Sequence, residues 1–329
     1  MSTKQQPLAK DPSTYAAGFP VTEPTPVASY RPVLIDVPGR PVPLAVRVSA
    51  PTVGTDLPVI VLSHGHGPSN FVSSFHGYGP LVEFWAAHGF VVVQPTHLDA
   101  AFLGLRELDH PDAPLYPRWR AEDLRQVVDH LGEIERTVPG LAGRLDAGRI
   151  AAVGHSAGGH TVGLISGQTM TDPGDGSKTV GAVDARFGAR VMIAAPGRGE
   201  DFTGPAAEPY AALTTTDFDG MTPEVLVVVG EKDWNPLFSD RRDWRGDAYT
   251  AAPGPKTLLE IFEAEHGLGG ISTFDGAETT DENPDRVAAV RALIWAYLRS
   301  ALYPGDPAWA RAAAKLAGDA APIGRVESK

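Results

Sequence analysis

The 329-residue chain contains no cysteine. That excludes disulfides, thiolate metal sites and a cysteine nucleophile, while leaving the redox compartment open. Basic residues are the second shortage: 28 Lys and Arg stand against 40 Asp and Glu, a formal net charge of −12. With no cluster of Lys and Arg to offset it, no nucleic-acid partner is expected. Long apolar runs are also missing. No window reaches the ~18 uninterrupted apolar residues of a transmembrane helix, and the opening MSTKQQPLAKDPSTYAAGFP lacks the apolar core of a secretory signal. The sequence therefore predicts a cytoplasmic protein, and a mature secreted chain would read the same way. Nothing in it indicates an oligomeric state.

What is present fits a globular α/β protein. Hydrophobic residues make up 43% and charged residues 21%, enough apolar material for one large core. Residues 1–28 carry five prolines among polar residues and read as an N-terminal arm. Residues 30–37 and 43–49, separated by Pro-Gly-Arg-Pro, predict an antiparallel strand pair. Apolar strands are then expected at 59–62, 90–94, 149–153, 190–194, 225–229 and 258–262. Helices are expected at 81–88, 121–137, 157–166 and 285–303, the last opened by Asn283-Pro284. Continuous apolar strands alternating with amphipathic helices imply a doubly wound, mostly parallel sheet covered on both faces. The catalytic domain would span 29–303 with no separate large cap domain, and 304–329 would form a helical turn and a tail.

Between the strand at 149–153 and the following helix lies GHSAGGH, residues 154–160. It has the G-x-S-x-G spacing with Ser156 at the centre. A serine on a sharp strand-to-helix turn is held in a strained conformation, and small residues two before and two after avoid collisions. The turn pushes Oγ out at the carboxyl edge of the sheet, where open α/β folds bind ligands. The helix behind it aims free amides at developing negative charge.

A serine hydroxyl needs a base, and the base needs an orienting acid. Past the strand at 225–229 the chain reads GEKDWNP, with Asp233 as the candidate acid and Glu231 its nearest rival. Past 258–262 it reads EAEHGLGG, and His266 is the only histidine after residue 160. The order Ser156, Asp233, His266 is that of an α/β-hydrolase. His155 and His160 flank the serine outside the loop where a base belongs, so they are expected to pack or hydrogen-bond beside it.

On these motifs the chain resembles the α/β-hydrolase superfamily over roughly residues 30–303. The strand followed by HGHG, the GHSAGG turn and the compact spacing are similar to the chlorophyllase, platelet-activating-factor acetylhydrolase and dienelactone-hydrolase-like branch. Cutinase-like polyesterases are similar in layout. The resemblance implies a cofactor-free serine esterase, lipase-like in mechanism, acting on a small-molecule or polymeric ester. It also implies an oxyanion hole built from the backbone amides of His66 and Ala157. Two departures bear on substrate: Ser156 stands where dienelactone hydrolases use cysteine, and Ala157 stands where chlorophyllases usually have arginine.

The loops 96–118, 196–221 and 234–252 are expected to rim the site. They contain Phe102, Leu103, Trp234, Phe238 and Trp244, which suit an apolar acyl or alcohol group, with Trp234 favoured because it directly follows the candidate acid. Lactonase, peptidase or amidase, and acyltransferase activity use the same three side chains. Two remoter readings are a metal-dependent hydrolase using His64 and His66, and a hydrolase-fold binding protein without chemistry. Against the metal reading, Pro68 stands where a ligating aspartate would follow and no third ligand is suitably spaced. TDPGDGSK, residues 171–178, lacks the terminal glutamate of a calcium loop and reads as a surface turn.

Overall fold

The computed structural model describes residues 14–273 and 278–329. Along the chain run β1 (Val27–Ile35), β2 (Leu44–Pro51), β3 (Leu57–Ser63), α1 (Gly79–Ala87), β4 (Val91–Pro95), α2 (Pro117–Asp129) and α3 (Leu131–Thr137). There follow β5 (Leu145–His155), α4 (Ala157–Leu164), a small hairpin of β6 (Met170–Asp172) and β7 (Asp175–Val180), and β8 (Phe187–Ile193). The last part holds β9 (Val225–Gly230), α5 (Asp247–Thr250), β10 (Lys256–Ile261), α6 (Pro284–Leu302), α7 (Ala308–Gly318) and β11 (Gly324–Ser328). Among these residues no helix is long and apolar enough to cross a membrane.

Nine strands form one sheet in the order β1-β2-β4-β3-β5-β8-β9-β10-β11. From β4 to β10 every pairing is parallel, and the antiparallel strands sit at the edges. Alternation along each strand feeds two cores, because successive side chains point to opposite faces. In β3, Ile60 and Leu62 pack with α1 and α6, whereas Val59 and Val61 pack with α2 and α4. A third, smaller apolar cluster of Leu115, Phe202, Leu213 and Trp244 lies among the loops. The start of α6 has a physical start signal: Asn283 caps it, its side chain accepting from the Arg286 amide at 3.0 Å, with Pro284 behind.

Three expectations need correction. The helix expected over 121–137 starts earlier, at Pro117, and breaks at His130, whose ring Nδ1 bonds the Gln126 carbonyl at 2.8 Å. The C-terminal segment is more than a turn and a tail. Here α7 packs on α6, and β11 pairs antiparallel with β10, Leu259 opposite Val326. The N-terminal arm is packed from residue 15 onward: Arg291 donates to the Tyr15 carbonyl and Phe19 is buried. Residues 1–13 of that arm lie outside the described residues.

Candidate active site

Ser156 follows β5 directly and caps α4 with φ 56° and ψ −120°, a region that costs an L-residue about 1–3 kcal/mol. The surrounding glycines are required by space. A Cβ at Gly154 would meet the Gly158 carbonyl oxygen at 2.0 Å, and one at Gly158 would meet the Ser63 oxygen at 2.1 Å. Only bare backbone lets α4 cross β3 and β5 so closely.

Parallel strands put their C-terminal loops on one edge, and three of those loops meet here. The His266 Nε2 lies 3.0 Å from Ser156 Oγ, and its Nδ1 lies 2.9 Å from Asp233 Oδ2. The rival Glu231 is turned elsewhere, accepting from the Glu263 amide. Asp233 is buried, and its other oxygen takes the Nε of Arg245 at 2.8 Å. Burial alone would raise the Asp233 carboxyl, but the Arg245 guanidinium, and then His266, outweigh it and lower it to about 2. Asp233 is therefore ionised at neutral pH, and His266 Nδ1 carries the proton between them. Arg245 is itself anchored by donating to the Ala194 carbonyl at 2.8 Å. The histidine loop is tied by Asp281, which accepts from the amides of Glu265 and Gly269. Neither Arg245 nor Asp281 was visible as a site residue in the sequence, since neither stands at a strand end and each is aimed at the site by the path of its loop.

The residues flanking the serine are packing groups. His160 is buried against Thr216, Nε2 to Oγ1 3.3 Å. Burial, aided by Arg120, lowers it to about 3. His155 lies between Tyr78 Oη, 2.9 Å from its Nδ1, and the His266 carbonyl, 2.9 Å from its Nε2. Burial, aided by the neighbouring His266, lowers it to about 3, so it is neutral.

His64 and His66 do not act as a pair. β3 ends at Ser63, so the two no longer share the alternation of a strand. Both His64 nitrogens are used, Nδ1 by the Gly65 carbonyl at 2.7 Å and Nε2 by the His97 amide at 3.0 Å. His66 instead bonds Asp99, Nδ1 to Oδ2 2.7 Å. Among the described residues no group of three or more His, Cys, Asp and Glu side chains is arranged to hold a metal ion.

The cleft over Ser156 is lined by His66, Ala157, Leu115, Pro196, Tyr210, Leu213, Phe238, Trp244 and Arg245. Of the five aromatic and aliphatic candidates, Phe238 and Trp244 are on this wall. Trp234 is not: its indole N–H donates to the Ser239 carbonyl at 3.0 Å and Arg242 covers the ring at 4.6 Å. Phe102 and Leu103 lie on a short 3-10 turn off the wall, Phe102 48% exposed. The wall is built instead by stacked rings, Phe202 on Trp244 at 5.6 Å and Phe238 on Trp244 at 6.4 Å. A more open groove shares Leu115 and Tyr210 with the cleft and runs on past Pro111 and Glu208.

The sheet order, the antiparallel entry pair and the strained serine turn give the chain an α/β-hydrolase fold. Within it, residues 26–172 match the chlorophyllase family, a segment that includes the HGHG loop and Ser156 and stops short of Asp233 and His266. No curated protein matches the chain.

Proposed function

We propose that the protein is a serine hydrolase of carboxylic esters that works through an acyl-enzyme. The observation carrying this reading is the continuous hydrogen-bonded series Ser156–His266–Asp233 at the strained turn. Ser156 Oγ attacks the ester carbonyl while His266 Nε2 takes its proton. Asp233 holds Nδ1–H and stabilises the imidazolium. The amides of His66 and Ala157 hold the tetrahedral oxyanion, each donor worth about 2.7–4 kcal/mol. Ala157 suits the role as the first residue of α4, where an amide has no intrahelical acceptor. His266 then gives its proton to the leaving alcohol. Water, activated by the same imidazole, attacks the acyl group and releases the carboxylic acid and free Ser156.

The apolar wall favours an ester with an apolar acyl or alcohol group. Lactones, amides and acyl transfer draw on the same groups. A panel of p-nitrophenyl esters of graded length, run with a lactone and an amide, ranks them. Ser156→Ala is expected to lower kcat on the best ester by roughly 10⁴-fold or more and to abolish labelling by a fluorophosphonate. Retained hydrolysis in that variant would exclude the mechanism.

A further inference from the structure

Two histidine–aspartate pairs flank Ser156 and its cleft. His266–Asp233 faces Ser156; the second, His66–Asp99, is used by no step above. Asp99 is wholly buried, and its Oδ2 takes both His66 Nδ1 at 2.7 Å and Arg120 Nη2 at 2.6 Å. The loop is clamped on either side of this pair. Arg106 donates to the Asp99 and Gly67 carbonyls at 2.6 and 2.8 Å, and Arg120 donates to the His64 carbonyl at 2.8 Å. Burial is the largest single influence and works against the Asp99 carboxylate, but Arg120 and the His66 hydrogen bond together outweigh it and hold the group well below the ordinary carboxylate range. An ionised Asp99 can only accept, so His66 Nδ1 carries the hydrogen. That fixes Nδ1 as the donor, and in the neutral form of the imidazole the other nitrogen, Nε2, is then an acceptor.

Nε2 has no hydrogen-bond partner among the described residues, and the side chain keeps 14% exposure where it lines the cleft beside Ser156 and Ala157. Tyr210 meets the ring edge-on at 5.5 Å, so the imidazole is oriented from a second side. Most of the remaining wall is apolar, and Arg245 is committed to Asp233 and Ala194. A rigid, pre-oriented acceptor in such a wall discriminates strongly, because a substrate without a matching donor leaves it unpaired. We infer that the His66 imidazole is a specificity element whose Nε2 accepts a hydrogen bond from a hydroxyl or N–H that the substrate carries close to its scissile carbonyl. The substrate class is then a hydroxy- or amino-substituted ester rather than a plain alkyl one. Proximity to the carbonyl follows from the proposed ester reading, on which the inference rests, because the amide of this same residue serves the oxyanion.

The test compares kcat/KM of the full chain for p-nitrophenyl 3-hydroxybutyrate and p-nitrophenyl butyrate, matched in length. The native protein is expected to favour the hydroxy ester by roughly tenfold or more. In His66→Phe the ratio of the two is expected to fall by about the same factor, whatever happens to the absolute rates. His66→Gln, which returns an amide near the Nε2 position, is expected to restore part of it. Equal losses on both esters would make His66 a strut and overturn the inference. So would a native protein without preference, a result that needs no variant. Ser156→Ala separates the two levels: butyrate hydrolysis that survives it defeats the serine mechanism, whereas a Ser156-dependent reaction with an invariant ratio defeats only the role of His66.

Discussion

His155 precedes the nucleophile in sequence, yet its ring works between two other loops. Burial keeps it neutral, so only one ring nitrogen carries hydrogen. The His266 carbonyl can only accept, which assigns the hydrogen to Nε2 and leaves Nδ1 as acceptor for the Tyr78 hydroxyl. Tyr78 Oη in turn accepts from the Gly65 amide at 2.9 Å. One directional chain therefore runs from the HGHG loop through Tyr78 and His155 to the loop of His266, and each donor in it has one acceptor. Tyr78→Phe keeps the ring and removes the link, leaving a buried amide and a buried ring nitrogen unpaired. Such groups cost about 1–3 kcal/mol, so the urea midpoint of Tyr78→Phe should drop accordingly, with kcat falling more than KM rises as both loops loosen. An unchanged midpoint would mean that the chain carries no energy.

At the scale of elements, the least expected piece is β11. Its five residues, GRVES, hold a single apolar side chain, Val326, and so show no apolar alternation, yet they cover the outer edge of β10, the strand that delivers His266. Each ladder bond is worth about 1 kcal/mol net, so deleting residues 320–329 should cost on the order of 3 kcal/mol. It should also expose an apolar edge prone to self-association. Size-exclusion profiles and melting curves of the truncated protein check this; a monomer of native stability would show β11 to be dispensable. The same contrast explains what could be read in advance. Central strands such as Val225–Gly230 are buried on both faces and advertise themselves as apolar runs. Ser156, Asp233 and His266 could be singled out because each follows such a strand at a fixed edge. The cleft wall had only a coarser signal, the three rim loops and the aromatics in them. Leu115, Tyr210 and Trp244 come from separate long loops and meet only in the third cluster, while Trp234, adjacent to Asp233 in sequence, turns its indole back to Ser239. Proximity in sequence was a poor guide to proximity at the cleft because loop direction is set by partners elsewhere in the chain.

For the molecule as a whole, buried histidines decide how stability depends on pH. Burial is the leading cause in each case: it lowers His155 and His160 to about 3 and His88 to about 4, and holds His64 and His97 well below the ordinary 6.5. In the unfolded chain these rings titrate near 6.5, so between about pH 6.5 and 3 the unfolded state binds more protons than the native one. Stability then falls as pH falls through that window. Asp123 has the opposite sign. Burial, opposed by Arg40, raises it to about 6, so the native state holds its proton between roughly pH 6 and 4 and gains stability there. Asp247, also raised by burial, has the same sign, and two carboxyls against five rings leave the histidines dominant. Each fully buried ring contributes up to about 1.4 kcal/mol per pH unit, so acidification from pH 7 to 5 should cost on the order of 3 kcal/mol or more. Asp99 and Asp233, both held below the ordinary carboxylate value, add their loss only at lower pH, as the medium falls below about 4. Urea midpoints at pH 7, 6 and 5 read the histidine contribution directly, and unfolding at pH 5 should take up protons. A flat midpoint across that range would mean that the buried rings are charged in the folded protein, and with it the tautomer assigned to His155 would fail.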